Sequence, residues 1–324
     1  MIKQSLMPKK RSFSDKILLI IKGFAMGTVN KIPGVSGGIV ALVSGFYLEL
    51  IYSLKKINLI SLKLILSGKW RAFYRYTNAE FLIFLFCGSI ISFFSMSLIL
   101  DFLILNYPNY LWSSFFGMVL ASIYFVKPLV TKWNLTTFIL FITGASVGIL
   151  ISLSDPGEGS ENLFFIYFCG IISVSGMTLP GLSGSFLLLL LGNYELLLVD
   201  SVNAFFYSIV DIIRGNFNLL ENKERLGLIK ILLVFVLGSI TGLVFFVNLL
   251  SYVLKKFYSY TISLILGFIS GSIICLWPWR KLSNNQEINY YIPSEFNKET
   301  ILMLICIKLG LTFVYLLEKY GKKK

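Results

Sequence analysis

Two short motifs hold the residues whose types and spacing best suit the binding of an anion. The first is Asn30-Lys31-Ile32-Pro33-Gly34-Val35-Ser36-Gly37-Gly38, and the second is Gly176-Met177-Thr178-Leu179-Pro180-Gly181-Leu182-Ser183-Gly184-Ser185. Proline removes a backbone donor and interrupts a helix, and glycine permits tight turns. We expect each helix to restart at the proline and to direct its free N–H groups toward an anion.

The side chains of the two motifs add donors to this predicted site. The candidate substrate-binding residues are Asn30, Lys31, Pro33, Gly34, Ser36, Gly37 and Gly38 in the first motif and Thr178, Pro180, Gly181, Ser183, Gly184 and Ser185 in the second. The alternative is that both motifs are only tight turns between closely packed helices. Irregular backbone at membrane depth favours the functional interpretation, because its polar groups need partners there.

Two lysines lie where an ammonium group is costly. Lys31 is at the tip of the first motif, and Lys308 is in the middle of an apolar run. We expect Lys31 to meet an anionic substrate group, unless its tip reaches an aqueous surface and the side chain is solvated. Lys308 is a further substrate-binding candidate, either as a counter-charge to phosphate or as the partner of a carboxylate.

Four carboxylates accompany the apolar runs. Glu49 and Glu195 follow the two motifs at nearly matching places and are candidates for gating or proton coupling, with solvation at the membrane interface as the alternative. Asp101 and Asp200 are expected at the interface, and the sequence assigns them no role.

The composition is that of a membrane protein. Of 324 residues, 56% are hydrophobic and only 14% are charged, and apolar runs of membrane-spanning length recur. The net charge of +13 does not indicate nucleic-acid binding, because the cations cluster between the apolar runs. The chain has no histidine, and its four cysteines stand singly, so we expect neither a disulfide framework nor a metal or other cofactor.

The two halves of the chain repeat one plan. We expect an all-α polytopic membrane protein of two inverted-topology repeats, each a re-entrant, broken-helix hairpin followed by three transmembrane helices. Between a basic N-terminus (1–15) and a basic tail (318–324), the first repeat is 16–153, an external loop is 154–162 and the second repeat is 163–317. The first repeat has a hairpin (16–54), an amphipathic segment (55–75) and helices at about 79–105, 111–126 and 135–153. The second has a hairpin (163–200), an external amphipathic segment (201–227) and helices at about 228–254, 261–277 and 301–317.

Constant offsets support the duplication. Pro33 and Pro180 are 147 positions apart, as are Gly45 and Gly192 and also Gly68 and Gly215, whereas Gly117 and Gly267 are 150 apart. Three spans per repeat are an odd number, so the second repeat must be inverted relative to the first. Cation-rich segments then all fall on one side, which predicts cytoplasmic termini and an external loop at Asp155–Glu161.

The paired motifs resemble the bacterial PopT family, also described as domain of unknown function 368. The resemblance covers about residues 16–317 and rests on Asn-x-Ile-Pro-Gly-Val-Ser-Gly-Gly with Gly-x-Tyr, and on Leu-Pro-Gly-Leu-Ser-Gly-Ser with Gly-Asn-Tyr-Glu. It implies an undecaprenyl-phosphate translocase that returns the carrier lipid of cell-wall synthesis to the cytoplasmic leaflet of the bacterial cell membrane. The chain departs from the family pattern at Ile39, where a hydroxyl residue is common, and at Tyr47-Leu48-Glu49, where Tyr-Glu is common.

The motifs by themselves predict an anion carrier, and the lipid substrate comes from the resemblance. The expected partners are a polyprenyl-phosphate lipid and the bilayer, and the oligomeric state stays open. One rival is a carrier or channel for a small soluble anion. A lipid phosphatase is disfavoured, because histidine is absent and no cysteine lies near a cationic loop.

Overall fold

A computed structural model describes residues 11–153, 159–178, 183–215, 222–282, 288–293 and 297–321. The chain divides into two compact units. Unit 1 contains residues 1–29, 37–95 and 317–324, and unit 2 contains residues 30–36 and 96–316.

The regular structure of the described chain is helical, as the sequence predicts, apart from one short two-stranded β-hairpin. The helices are α1 (Phe13–Lys31), α2 (Gly37–Val43), α3 (Tyr47–Lys55), α4 (Leu59–Leu66), α5 (Trp70–Tyr76), α6 (Ala79–Asn106), α7 (Pro108–Val126), α8 (Leu135–Leu153), α9 (Leu163–Thr178), α10 (Gly184–Leu190), α11 (Ser201–Ile213), α12 (Lys223–Ser272) and α13 (Lys298–Gly321). A π-helix covers Leu196–Asp200, and 3₁₀ turns cover Lys127–Leu129 and Ile273–Leu276. Strands β1 (Arg280–Leu282) and β2 (Ile288–Tyr290) pair antiparallel, with Arg280 opposite Tyr290.

Seven helical segments of the described chain are long and apolar enough to cross a membrane. They are Ala79–Asn106, Pro108–Leu129, Leu135–Leu153, Leu196–Ile213, Lys223–Leu243, Lys256–Leu276 and Lys298–Tyr320. Six correspond to the transmembrane helices that the sequence predicts. Two of them lie inside α12, which is kinked at the start of the second, where the backbone of Phe257 is non-helical with φ −130° and ψ 38°. The seventh, Leu196–Ile213, overlaps the end of the second predicted hairpin and the segment expected along the external surface.

Both motifs interrupt their helices, but the first helix does not restart at its proline. Helix α1 ends at Lys31 and α2 begins at Gly37, so Pro33 lies in the intervening turn. Gly34 has a φ of +84°, a left-handed conformation that suits glycine and prevents the helix from resuming there. In the second motif, α9 ends at Thr178 and α10 begins at Gly184.

The amphipathic segment of the first repeat forms α4 and α5. Asn58 caps α4 in a capping box with Ser61, whose hydroxyl accepts the backbone N–H of Asn58 at 3.0 Å. The cap fixes the start of α4 within the stretch that the sequence identifies as amphipathic.

Helices of unit 1 cross closely at glycines. A Cβ atom on Gly23 of α1 would lie 1.9 Å from the carbonyl oxygen of Leu85 on α6. A Cβ atom on Gly88 of α6 would lie 2.0 Å from the carbonyl oxygen of Ile20 on α1. Only glycine permits this backbone-to-backbone approach, which is typical of helix pairs in membranes.

Within unit 2, α9 and α12 cross in the same manner. A Cβ atom on Gly170 would lie 2.4 Å from the carbonyl oxygen of Phe235, and one on Gly238 would lie 2.1 Å from that of Tyr167. These four residues stand 147 or 150 positions after the four that form the crossing in unit 1.

Two further crossings of unit 2 also match each other. On α7 and α13, Gly117 faces the carbonyl oxygen of Ile307, and Gly310 faces that of Ser114. On α12 and α8, Gly267 faces the carbonyl oxygen of Phe141, and Gly144 faces that of Leu264. Each close approach would bring a Cβ atom to within 2.0–2.2 Å of the oxygen.

Candidate functional site

The tips of the two motifs touch within unit 2. The backbone N–H of Gly34 donates to the hydroxyl oxygen of Ser183 at 2.9 Å. On the other side of the same turn, the hydroxyl of Ser122 on α7 donates to the carbonyl oxygen of Gly34. The structure thus brings together the two motifs that the sequence analysis assigns to one site.

Ser183 is the centre of this contact. Its side chain is 2% exposed, and its oxygen also accepts the backbone N–H of Phe186 at 3.2 Å, which makes it the N-cap of α10. The hydroxyl of Ser185 lies 3.1 Å away. Three of the groups predicted for an anion site, the Gly34 N–H and the hydroxyls of Ser183 and Ser185, therefore lie in one cluster here, with Ser183 at its centre.

Lys31 is fully buried beside this cluster. Its side chain is 0% exposed, and its ammonium group donates to the backbone carbonyl of Leu198. Its own carbonyl oxygen accepts the hydroxyl of Tyr194 at 2.9 Å. The alternative of a solvated lysine at an aqueous surface does not describe this structure. An ammonium group at such a position is costly in a membrane protein, and the predicted meeting of Lys31 with an anionic substrate group stays a prediction.

A π-helix supplies the carbonyl that holds Lys31. Within Leu196–Asp200 the wider turn changes the hydrogen bonding of the backbone and leaves carbonyl groups available to side chains. The hydroxyl of Ser97 on α6 lies 3.1 Å from the carbonyl oxygens of both Leu198 and Val199. The sequence analysis missed Ser97 and the π-helix, since neither hydrophobic period nor composition distinguishes π from α geometry.

Aromatic rings surround Tyr194 on the side of α7. The ring centroids of Trp112 and Phe115 lie 6.5 and 6.2 Å from that of Tyr194, in edge-on arrangements. Packing among these rings fixes the position of the Tyr194 hydroxyl, which donates to the carbonyl oxygen of Lys31 at the end of α1.

Arg280 is a second cation that sequence analysis did not single out. Its guanidinium carbon lies 4.5 Å from the centre of the Trp112 ring, a cation–π geometry. Burial lowers the pKa of Arg280, and the nearby Tyr290, Cys275 and Glu195 oppose that shift. Arginine nevertheless stays cationic at neutral pH. No motif marks Arg280, because its position depends on the fold of the loop after α12.

The two glutamates that are candidates for gating or coupling have different surroundings. In unit 1, Glu49 forms an ion pair with Arg11 and accepts the side-chain amide of Asn78 at 2.8 Å. In unit 2, Glu195 is exposed and interacts electrostatically with Arg280. Neither arrangement tests a gating or coupling role, which stays a hypothesis.

The other predicted site residues are placed as follows. In the first motif Pro33, Gly34 and Gly37 are buried, and Asn30, Ser36 and Gly38 are half-buried. In the second, Gly184 is buried, Thr178 ends α9, and Pro180 and Gly181 lie outside the described residues. The side chain of Lys308 is exposed on α13, and its role in substrate binding stays a prediction.

No group of three or more histidine, cysteine or acidic side chains in the described ranges is placed to hold a metal ion. The four cysteines are free thiols. At the two motifs, the described polar groups are hydroxyls, backbone N–H and C=O groups and the ammonium group of Lys31.

The chain is similar to known transporters of polyprenyl phosphate. A family model described as undecaprenyl phosphate translocase-like matches residues 26–317. A polyprenyl-phosphate transporter of Vibrio cholerae is 29% identical over 319 residues, which cover 94% of this chain and 96% of that protein. A polyprenyl-phosphate transporter of Staphylococcus aureus is 30% identical over 275 residues, covering 81% and 87%. No solved structure matches the chain.

Proposed function

Because the chain belongs to the undecaprenyl phosphate translocase-like family, we propose that it returns polyprenyl phosphate from the outer to the cytoplasmic leaflet of the bacterial cell membrane. Its role would be the recycling of a carrier lipid for cell-envelope synthesis. The observation that carries the site assignment is the buried side chain of Lys31, three residues before Gly34, whose backbone N–H contacts Ser183 of the second motif. No covalent step is needed, and the named relatives are transporters.

The phosphate would replace protein groups that now satisfy one another. When the two tips separate, the backbone N–H of Gly34 and the hydroxyl of Ser183 become available as donors. Lys31 would move from the neutral carbonyl of Leu198 to the anionic oxygens, which form stronger, charge-assisted hydrogen bonds. The hydroxyls of Ser36 and Ser185 complete the proposed head-group site.

The polyprenyl tail would stay in lipid, through a lateral opening, while the head group moves. Rocking of one repeat against the other would expose the head-group site to each leaflet in turn. Two repeats of opposite orientation suit such alternating access.

The helix crossings support the inverted repeat. The contact of Gly23 with Leu85 recurs as that of Gly170 with Phe235, at offsets of 147 and 150. Equivalent turns also share their backbone conformation, since φ is +74° at Gly45 and +73° at Gly192, and +67° at Gly68 and +76° at Gly215. Three helices of membrane-spanning length, α6 to α8, separate the first predicted hairpin from the second, which favours inversion.

The short helices after the motifs support re-entrant hairpins. Helices α2 and α10 have seven residues each, a length of about 10 Å, far less than a bilayer requires. In unit 1 the ammonium group of Lys22 donates to the carbonyl of Ser44 at 2.9 Å, so the chain after α2 has returned alongside α1. In unit 2 Gly184 packs against Ser173 of α9.

The proposed orientation places both termini in the cytoplasm and the 154–162 loop outside, as the distribution of cations predicts. In a cysteine-free background, Ser160→Cys should react with an impermeant thiol reagent added outside intact cells, because Ser160 is exposed. Ser67→Cys, in the turn after α4, should be protected and serves as the matched control. Labelling of Ser67→Cys together with protection of Ser160→Cys would reverse the orientation.

A carrier for a small soluble anion is the rival that shares the same tips. Vesicles containing the purified protein should redistribute polyprenyl phosphate between leaflets but show no counterflow of inorganic phosphate. Rapid counterflow without lipid redistribution would favour the rival. Release of inorganic phosphate from the lipid would instead indicate a phosphatase.

A further inference from the structure

Unit 2 has a polar cavity that no residue of the two motifs lines. It has a volume of about 330 Å³ and lies among α6, the end of the π-helix, α11 and the start of α12. Its polar lining consists of Asp101, Asp200, Asn203, Asn222, Glu224 and Arg225. The sequence assigns no role to the two aspartates, and the head-group site does not use them.

The charges of the lining favour a cation. Three carboxylates face one guanidinium group, and that group, on Arg225, is already paired with Asp211 on α11. The side chain of Asn222 is occupied as the N-cap of α12, where it accepts the backbone N–H of Arg225 at 3.0 Å. Asp101 and Asp200 form no ion pair with any described residue, so their negative charge remains available.

Asn203 gives an independent indication of a ligand. The residue is 6% exposed and lines the cavity, and its side-chain oxygen is buried without a hydrogen-bond partner among the described residues. An unsatisfied buried acceptor destabilises the folded state, because it has lost its hydrogen bonds to water. A cation or a donor that enters the cavity removes this penalty.

We propose that Asp101, Asp200 and Asn203 form a binding site for a small monovalent cation, with Na⁺ as its ligand. Carboxylate and amide oxygens are hard ligands that suit such an ion. The three carboxylates of the lining are not grouped so that they could hold a metal ion together, and the proposed ligands are therefore the two aspartates and Asn203. An ionisable pair carried by apolar helices is also expected to have a function.

The site has a direct structural connection to Lys31. Asp200 ends the π-helix, and Leu198, two residues earlier, holds the Lys31 ammonium group. Asp101 lies one helical turn after Ser97, which also donates to Leu198. A cation between the two aspartates stabilises the π-helix in the position that retains Lys31. The coupling of cation binding to transport rests on the proposed function, whereas the binding site does not.

The binding site is tested by thermal unfolding of the purified full-length protein in NaCl and in choline chloride at equal ionic strength. With Na⁺ well above its dissociation constant, we expect the wild-type Tm to be higher by roughly 3–6 °C. The difference between the two salts should vanish in Asp101→Asn, Asp200→Asn and Asn203→Ala. Glu161→Gln, which removes an exposed carboxylate elsewhere in unit 2, should retain it.

Comparison of salts within each variant separates ion binding from any change in intrinsic stability. Equal wild-type Tm values in the two salts, or an unchanged salt difference in all three cavity variants, would overturn the site. A Tm that responds to acid pH but not to Na⁺ would also overturn it, in favour of a proton.

Coupling is then measured as the dependence of lipid transport on Na⁺ in vesicles. We expect a several-fold change for wild type and none for Asp200→Asn. A stabilising effect of Na⁺ with Na⁺-independent transport would reject coupling and leave the site intact. Absence of lipid transport under all conditions would reject the proposed function, without altering the result of the unfolding experiment.

Discussion

Replacing Lys31 with methionine is expected to lower polyprenyl-phosphate transport about 100-fold while the protein still folds. Methionine keeps the apolar stem and removes the charge that would pair with the phosphate. The carbonyl of Leu198 retains the hydroxyl of Ser97 as a donor, so the π-helix keeps a partner. Transport rates in vesicles and the Tm of the purified variant measure the two effects separately.

Two comparisons make the Lys31→Met result specific. Its Tm should equal or exceed that of wild type, because a buried charge has been removed. Lys31→Arg should restore transport only in part, since a planar guanidinium group does not fit the space of a compact ammonium group. Wild-type transport by Lys31→Met would move the anion site to other groups, such as the backbone N–H groups and Lys308.

Gly267→Ala is expected to destabilise the protein strongly, by about 3 kcal/mol. The new Cβ atom would lie 2.0 Å from the carbonyl oxygen of Phe141, and neither backbone can yield without separating α12 from α8. Gly227→Ala, on the same helix, is the matched control, because no atom lies within 4 Å of its added Cβ. That control should be neutral or up to about 1 kcal/mol more stable. Thermal unfolding in detergent measures both.

Because Gly117 is the counterpart of Gly267 in the first repeat, we expect Gly117→Ala to destabilise the protein as well. Its added Cβ would lie 2.0 Å from the carbonyl oxygen of Ile307, so the loss of stability should match that of Gly267→Ala. A tolerated Gly267→Ala variant would show that α8 and α12 do not cross as closely as described.

Hydrophobic runs predicted the long helices well, because length and composition decide membrane insertion. The predicted run 135–153 is α8 to the residue, and 79–105 becomes Ala79–Asn106. The Pro-Gly motifs correctly predicted where helices are interrupted. The restart at Gly37 instead of Pro33 was missed, because it depends on the left-handed conformation of Gly34.

The contacts of the candidate site could not be predicted from local patterns. Gly34 and Ser183 are 149 positions apart, and Lys31 and Leu198 are 167 apart. Periodicity indicates which face of a helix is apolar, but it does not indicate which distant carbonyl a buried lysine meets. The cation–π contact of Arg280 with Trp112 was likewise not predictable, because only the fold brings the two residues together.

The measurement that most directly tests the head-group site is lipid transport by the double variant Ser36→Ala, Ser183→Ala in vesicles. A hydroxyl bonded to an anion contributes about 1.5–3 kcal/mol, so the double variant should transport at least roughly 100-fold more slowly than wild type. Ser183→Thr, which keeps the hydroxyl and the cap of α10, should remain active. The Tm of the double variant is measured beside its transport rate, so that a loss of transport is not mistaken for a loss of folding. Transport at the wild-type rate by the double variant would contradict the account and leave the two motifs as turns between packed helices.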